Sequence, residues 1–218
     1  MSTIPPWSFS QLESFATCPK KFYHTRVAKD FVEPPSVHTE WGKTVHSAFE
    51  DYIKEAKPLP DTLNKWSYFL ERIKNLPGDK YTEWQYSLTK SFQPCNWEVA
   101  WSRGVADVLV VGDNKAAVID YKTGKFKPSD QLKLYAAYTF AYYPHIQEVQ
   151  TAFVWLKDQR ITKEIVPRAE VPGIWQSMLE RVNKLESAYE RDSWPARPSG
   201  LCNGWCPVTT CTHNKKKG

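Results

Sequence analysis

No stretch of 18 consecutive apolar residues occurs in the 218-residue chain, so no transmembrane helix is expected. The opening Met1-Ser2-Thr3-Ile4-Pro5-Pro6 has neither the basic start nor the apolar core of a secretory signal, and a cytoplasmic protein is expected. Internal repeats are absent. The one biased segment, Lys215-Lys216-Lys217, reads as a solvated tail. Cysteine is scarce, at five residues; in a reducing compartment these point to metal or free thiols before disulfides. Neither sign of charge dominates: 29 Lys and Arg against 24 Asp and Glu leave +5. That excess suits nucleic acid without establishing it. Aromatics, by contrast, are plentiful. Ten Trp and eleven Tyr serve mostly in core and rim, although some could stack on bases. The length fits one large domain, or a domain with appendages, and a substantial core.

The centre of the chain is a hairpin. Apolar runs at 105–111 and 116–119 flank Gly112-Asp113-Asn114, a turn-forming cluster between β-branched strands. Asp120 and Lys122 stand two apart on one strand and so share a face. If Asp113-Asn114 is a two-residue turn, Gly112 pairs with Lys115, and counting back sets Asp107 opposite Asp120. A three-residue loop would shift that register by one. Facing residues bring their Cβ atoms to about 5 Å, where like charges repel. Two carboxylates so placed need cations; Lys122 supplies one charge and a divalent metal would supply the rest. A surface hairpin closed by an ordinary salt bridge is the other reading of the same three residues.

Four apart on the next helix, Gln131 and Tyr135 share one face near the end of the Lys122 strand. The order Gly104-x-x-Asp107, Asp120-x-Lys122, Gln131-x-x-x-Tyr135 resembles the PD-(D/E)XK nuclease superfamily, and its RecB-like branch in particular. Gly42-Lys43-Thr44-Val45-His46 is similar to that branch's upstream helical histidine. Cys18-Pro19-Lys20-Lys21-Phe22 is similar to its amino-terminal CPxxF element. With the late cysteines counted, the likeness extends to the iron–sulfur exonucleases of CRISPR systems and phages.

The rest of the chain supplies the frame. Ser10-x-x-Glu13 reads as a capping box, and Pro19 opens a second short helix. Trp41, Val45, Phe49, Tyr52 and Ile53 mark a helix over 40–56; Leu63, Trp66, Leu70 and Ile73 mark another. A strand follows over 81–89 carrying Glu83, a further acidic candidate or a solvent-facing residue. Cys95 lies in a turn and reads as a bystander. After the hairpin come a helix entered through Pro128 and ending at 142, strands at 149–156 and 161–166, and a helix through Ile174, Met178, Val182 and Leu185. This order predicts an α/β (α+β) fold, a mixed central sheet flanked by helices. The resemblance implies a restriction-endonuclease-like core. One domain over residues 1–218 is expected, with a helical region (8–76) and a cysteine region (194–218) packed together.

The resemblance also implies a function: a metal-dependent DNA nuclease, most often an exonuclease. In that reading His46, Asp107, Asp120 and the Tyr121 carbonyl hold Mg²⁺ or Mn²⁺. Lys122 orients the attacking water or stabilises transition-state charge, and Gln131 and Tyr135 position DNA or the reacting groups. Partners would be DNA and a helicase, a recombinase or a CRISPR integration complex. A catalytically silent DNA-binding scaffold and an RNA nuclease are the alternatives. Cys202, Cys206 and Cys211, spaced C-x₃-C-x₄-C, lie close enough in sequence to share one centre. By the resemblance Cys18 completes a [4Fe–4S] set. The family's usual late spacing, C-x₂-C-x₅-C, differs by one, which keeps zinc as an alternative, with His213 as a possible ligand.

Overall fold

The structure, a computed structural model, describes residues 4–33 and 37–215. The expectations for Met1, Ser2, Thr3, Lys216 and Lys217 lie outside that range. Along the chain run α1 (Phe9–Thr17), α2 (Pro19–Phe22), α3 (Val37–Glu55), α4 (Ser67–Lys74), β1 (Asp79–Leu88), β2 (Ser102–Val111) and β3 (Lys115–Lys122). Then follow α5 (Gln131–Tyr142), β4 (Glu148–Trp155), β5 (Arg160–Pro167) and α6 (Val171–Glu190). They divide into two compact units, one containing α1, α2 and the chain from Ser177 onward, the other running from α3 to Gln176. No helix among the described residues is long and apolar enough to cross a membrane.

The first unit starts with a capping box two residues earlier than the sequence pattern indicated. Ser8 Oγ accepts the Gln11 amide and the Gln11 side chain accepts the Ser8 amide, so the cap is Ser8 rather than Ser10. This start brings Phe9 into the helix beside Leu12, and both are buried. Pro19 occupies the first turn of α2, as expected, and the chain continues into a π-helical turn at Tyr23–Val27. Trp194 ties this segment to the late chain, packing at 6.2 Å from Phe15, 6.1 Å from Phe22 and 5.0 Å from Tyr189. Arg181 adds a 2.6 Å ion pair to Glu13.

The second unit is a five-stranded sheet in the order β1-β2-β3-β4-β5. Every neighbouring pair is antiparallel except β3 and β4, which are parallel and joined by the α5 crossover. On one face Val45 and Phe49 of α3 and Leu70 and Ile73 of α4 bury Val108, Val110, Ile119 and Val154. On the other lies α5, buried at Leu132 and at every position from 134 to 140. It begins at Gln131, three residues later than expected. Pro128 fits a first helical turn, but the first helical bond is the one from the Leu134 amide to the Asp130 carbonyl.

Two strands of this sheet break their alternation. Residues an even number apart on a strand share a face. Yet Thr82 of β1 donates to Glu50 of α3, whereas Tyr86 of the same strand bonds Thr139 of α5 at 2.7 Å. On β2, Val108 and Val110 meet α3 and α4, whereas Ser102 bonds Tyr138 of α5. Both strands change face between these points, and there Glu83 has a left-handed backbone with φ 48°. The ladder stays in register across the break, Thr82 with Val108 and Trp84 with Ala106.

Gly104 has a direct physical reason. A Cβ at this position would stand 2.9 Å from the ring carbons of both Tyr135 and Tyr138. The glycine therefore lets α5 approach the sheet. Gly104→Ala should lower stability by about 1–3 kcal/mol, the usual cost of overpacking. Thermal unfolding followed by circular dichroism checks this; an unchanged Tm would mean that the approach is not needed.

Candidate functional site

The Gly112 amide donates to the Lys115 carbonyl at 2.9 Å, closing the two-residue turn at Asp113-Asn114. The β2–β3 ladder accordingly pairs Val111 with Ala116 down to Val108 with Ile119. Continued by one step, this register sets Asp107 opposite Asp120, and the β1–β2 register sets Glu83 opposite Asp107. Three carboxylates thus form a row across three adjacent strands. At Asp107 the ladder stops and the side chain substitutes for it: Asp107 Oδ2 accepts the Tyr121 amide at 2.5 Å.

Around this row the remaining groups converge. His46 comes from α3, held down by the buried neighbours Val45 and Phe49, and its Nδ1 lies 3.0 Å from Asp107 Oδ1. Lys122 Nζ lies 2.6 Å from Asp120 Oδ2 and donates to Gln131 Oε1 at 2.8 Å. Gln131 Nε2 in turn donates to Asp120 Oδ1 at 3.1 Å and to the Tyr135 hydroxyl at 2.9 Å. Gln131 can do this because it is the first residue of α5, beside the end of β3. The Tyr121 ring packs edge-on against Phe49 at 4.9 Å, fixing the segment between Asp120 and Lys122.

The electrostatics show an unmet demand for positive charge. Burial pushes the Asp120 carboxyl up, the Asp107 charge adds to this and Lys122 only partly offsets it, so that Asp120 titrates at about 7. Its Oδ2 is buried without a well-aligned hydrogen bond. For His46 burial is the largest influence and acts downward. The bond to Asp107, with the charges of Asp107, Asp120 and Glu83, outweighs it and raises the imidazole above its ordinary value. Glu83 is also raised, by burial first and then by Asp107. Burial and the crowding of carboxylates thus favour the neutral acids and the charged imidazole, a bias that a bound cation would offset.

His46, Glu83 and Asp107 each offer a ligand atom within 4.8 Å of the others. Among the described residues no other group of three or more His, Cys, Asp or Glu side chains does so. Imidazole nitrogen with carboxylate oxygens is a donor set that accepts Mg²⁺ or Mn²⁺. Sequence reasoning gave Glu83 too little weight. Alternation along β1 carries no sign of the left-handed residue, and register counting from Asp107 was the signal that could have found it. Asp120, expected among the metal ligands, stands next to that group on β3 and spends its oxygens on Lys122 and Gln131.

The cysteines lie in the other unit. Cys18, Cys202, Cys206 and Cys211 line one small cavity together with His213. The Arg197 amide donates to Cys18 Sγ at 3.4 Å, and the Lys20 amide bonds the Pro195 carbonyl at 3.2 Å. Cys95 is elsewhere, its backbone bonded to Ser87.

The family model for the PD-(D/E)XK nuclease superfamily matches residues 6–211. A search of curated proteins finds no match. Among solved structures, that of SSO0001 is similar at 15% identity and a TM-score of 0.36, over 83% of this chain and 78% of that one.

Proposed function

The chain belongs to the PD-(D/E)XK nuclease superfamily, and from that premise we propose that it is a divalent-metal-dependent deoxyribonuclease that removes nucleotides from DNA ends. The observation that carries this is the contact between two sets of groups. Asp120, Lys122 and Gln131 are bonded to one another beside the His46, Glu83 and Asp107 ligand atoms. A scaffold has no use for so many carboxylates at such electrostatic cost.

His46, Asp107 and Glu83 would hold the ion, with Asp120 and the Tyr121 carbonyl completing its surroundings. Bound there, Mg²⁺ or Mn²⁺ would activate water and neutralise phosphate charge. Lys122, aimed by Asp120 and Gln131, offers an ammonium to the attacking water or to the phosphorane-like transition state. Gln131 fixes that ammonium, and Tyr135 fixes Gln131 through the amide nitrogen. Burial, with the Asp120 charge, drives the Tyr135 hydroxyl far above its ordinary value, so it works as a neutral hydrogen-bonding group.

The same proposal gives Cys18, Cys202, Cys206 and Cys211 one [4Fe–4S] cluster. Their shared cavity supports it. A single zinc held by the same thiolates, with His213 as a ligand, is the other reading of this cavity. One nuclease domain over residues 1–218, serving a helicase, a recombinase or a CRISPR integration complex, belongs to the same reading.

The test is cleavage of 5′- and 3′-labelled single- and double-stranded DNA, circular DNA and RNA, with Mg²⁺, Mn²⁺ or EDTA. Linear DNA should shorten from an end with metal only. Cleavage in EDTA, or of circles as fast as linear strands, would overturn the reading.

Metal binding should also depend on pH with a definite sign. Asp120 titrates at about 7 in the fold against 3.8 ordinarily. Its contribution to metal-free stability is therefore complete below about pH 4 and is lost as pH rises through 7. A bound cation replaces the proton, so the metal-induced rise in Tm should grow between pH 6 and 8. In Asp120→Asn that growth should shrink, leaving the part that comes from the His46 imidazole losing its proton to the ion. Equal pH dependence in both proteins would put the titrating group elsewhere.

A further inference from the structure

Between Lys122 and Gln131 the chain makes a loop, 123–130, whose middle residue is a phenylalanine in an unusual setting. Phe126 is 40% exposed, yet it is held from three sides. Its amide donates to the Asp158 carboxylate at 2.6 Å. The Arg160 guanidinium lies 4.2 Å from its ring centroid, and Trp155 meets it edge-on at 5.2 Å. A single exposed ring is ordinary on a protein surface and carries no meaning by itself. In this one the backbone is fixed by an amide hydrogen bond, and the ring by a cation–π contact and an aromatic edge.

The location adds to the argument. β3 and β4 are parallel, and Lys122 and Trp155, paired in register, both stand at their carboxyl ends. That is the end at which open α/β sheets bind ligands. Phe126 lines an open cleft there with Pro128, Phe153 and Trp155. The aromatic chain leads back to the site: Trp155 lies 5.3 Å from Phe153, and Lys122 Nζ lies 5.3 Å from the Phe153 ring. Lys125 and Lys127 flank Phe126, and Lys157 and Arg160 bracket the facing turn, against Asp158 and Asp130. The balance at this rim is positive.

We propose that Phe126 is a base-stacking residue for the substrate strand, pre-set by Arg160 and Asp158 a short distance from the scissile phosphate, with the surrounding lysines holding the phosphates. The inference rests on the nuclease reading and names one determinant of how that site grips its strand. Base–aromatic stacking tolerates any base, because every base has a π-face. The platform therefore registers the strand without reading its sequence. It also requires an unpaired base at that distance from the cut.

The test uses the full chain and oligonucleotides carrying 2-aminopurine one, two or three nucleotides to either side of the cleaved bond. Binding is measured in the Asp120→Asn background, cleavage in the otherwise native enzyme. One label position should be quenched on binding, and Phe126→Leu should abolish that quench. Phe126→Leu should also raise KM about tenfold while kcat stays within about twofold. Phe126→Tyr should restore both. Because Phe126→Leu keeps an apolar side chain on an exposed loop, an unchanged Tm separates stacking from folding. Uniform quenching at every position, or a native KM in Phe126→Leu, overturns the proposal while leaving the nuclease reading intact. Position-specific binding without cleavage by the native enzyme overturns the nuclease reading instead, and absence of binding overturns both.

Discussion

Asp107→Ala, Asp120→Ala and Lys122→Ala should each reduce DNA cleavage by about a thousandfold or more, with the fold retained. The size follows from the way the groups are joined. Asp120 holds Lys122 at 2.6 Å and Gln131 at 3.1 Å, so its removal disorients the ammonium as well as deleting a carboxylate. Removal of Lys122 leaves the Asp120 carboxyl buried beside Asp107 with its nearest cation gone, which drives it further toward the protonated form. Asp107 holds both the Tyr121 amide and His46. Losing one well-placed electrostatic partner commonly costs two to three powers of ten, and groups that act as a unit fail together. The double variant Asp120→Ala/Lys122→Ala should then be no slower than the worse single one. His46→Ala should do less, weakening metal affinity or changing metal preference. Single-turnover kinetics with circular dichroism as the folding control measure this. Native rates in Asp120→Ala would show that the chemistry lies elsewhere.

The second large effect is expected at the other unit. Cys18→Ala should remove the colour of anaerobically purified protein, which should otherwise carry about four iron per chain, and should lower the Tm. Cys18 and Cys202 are far apart in sequence, and cross-linking so long a loop is worth on the order of 4–5 kcal/mol in a chain-entropy model. The same segments are already joined by the Lys20–Pro195 bond and the Trp194 contacts, so the unit should weaken rather than vanish. Cys95→Ala should change neither property. Colourless protein with stoichiometric zinc would defeat the iron assignment and keep the clip. Metal-free cysteines in a stable enzyme would defeat both.

How much of this could be read from residues alone depended on whether the deciding interaction was local. The hairpin was legible because Asp113-Asn114 admits a two-residue turn, and from it every pairing down to Val108 with Ile119 follows by counting. The mixed sheet followed from strand order and the helical crossover. The capping box was misplaced by two because Ser8-x-x-Gln11 and Ser10-x-x-Glu13 both fit the pattern, and the reciprocal hydrogen bonds form at Ser8. The start of α5 was misplaced because Pro128 suits a first turn, whereas the first helical bond waits for Asp130. Glu83 was underrated for a different reason. Its value depends on a left-handed backbone and on two registers added together, and neither leaves a mark in the composition of its own strand.

The turn at Asp113-Asn114 bears on time as well as on geometry. It brings Asp107 to the Tyr121 amide across 14 residues of chain, whereas His46 reaches Asp107 across 61. Nearby segments close their loops sooner than distant ones, and parallel strand pairing is slow because a crossover must form before it. The acidic hairpin should therefore take shape first. Gln131 and Tyr135 should join it as α5 docks and β4 aligns beside β3. During synthesis the chain would hold Asp107 and Asp120 together before the helix that aims Lys122 has emerged. The charged half of the site would be present early, and the orienting half would arrive with the crossover. A partly made chain would thus carry the acids of a nuclease without its aim.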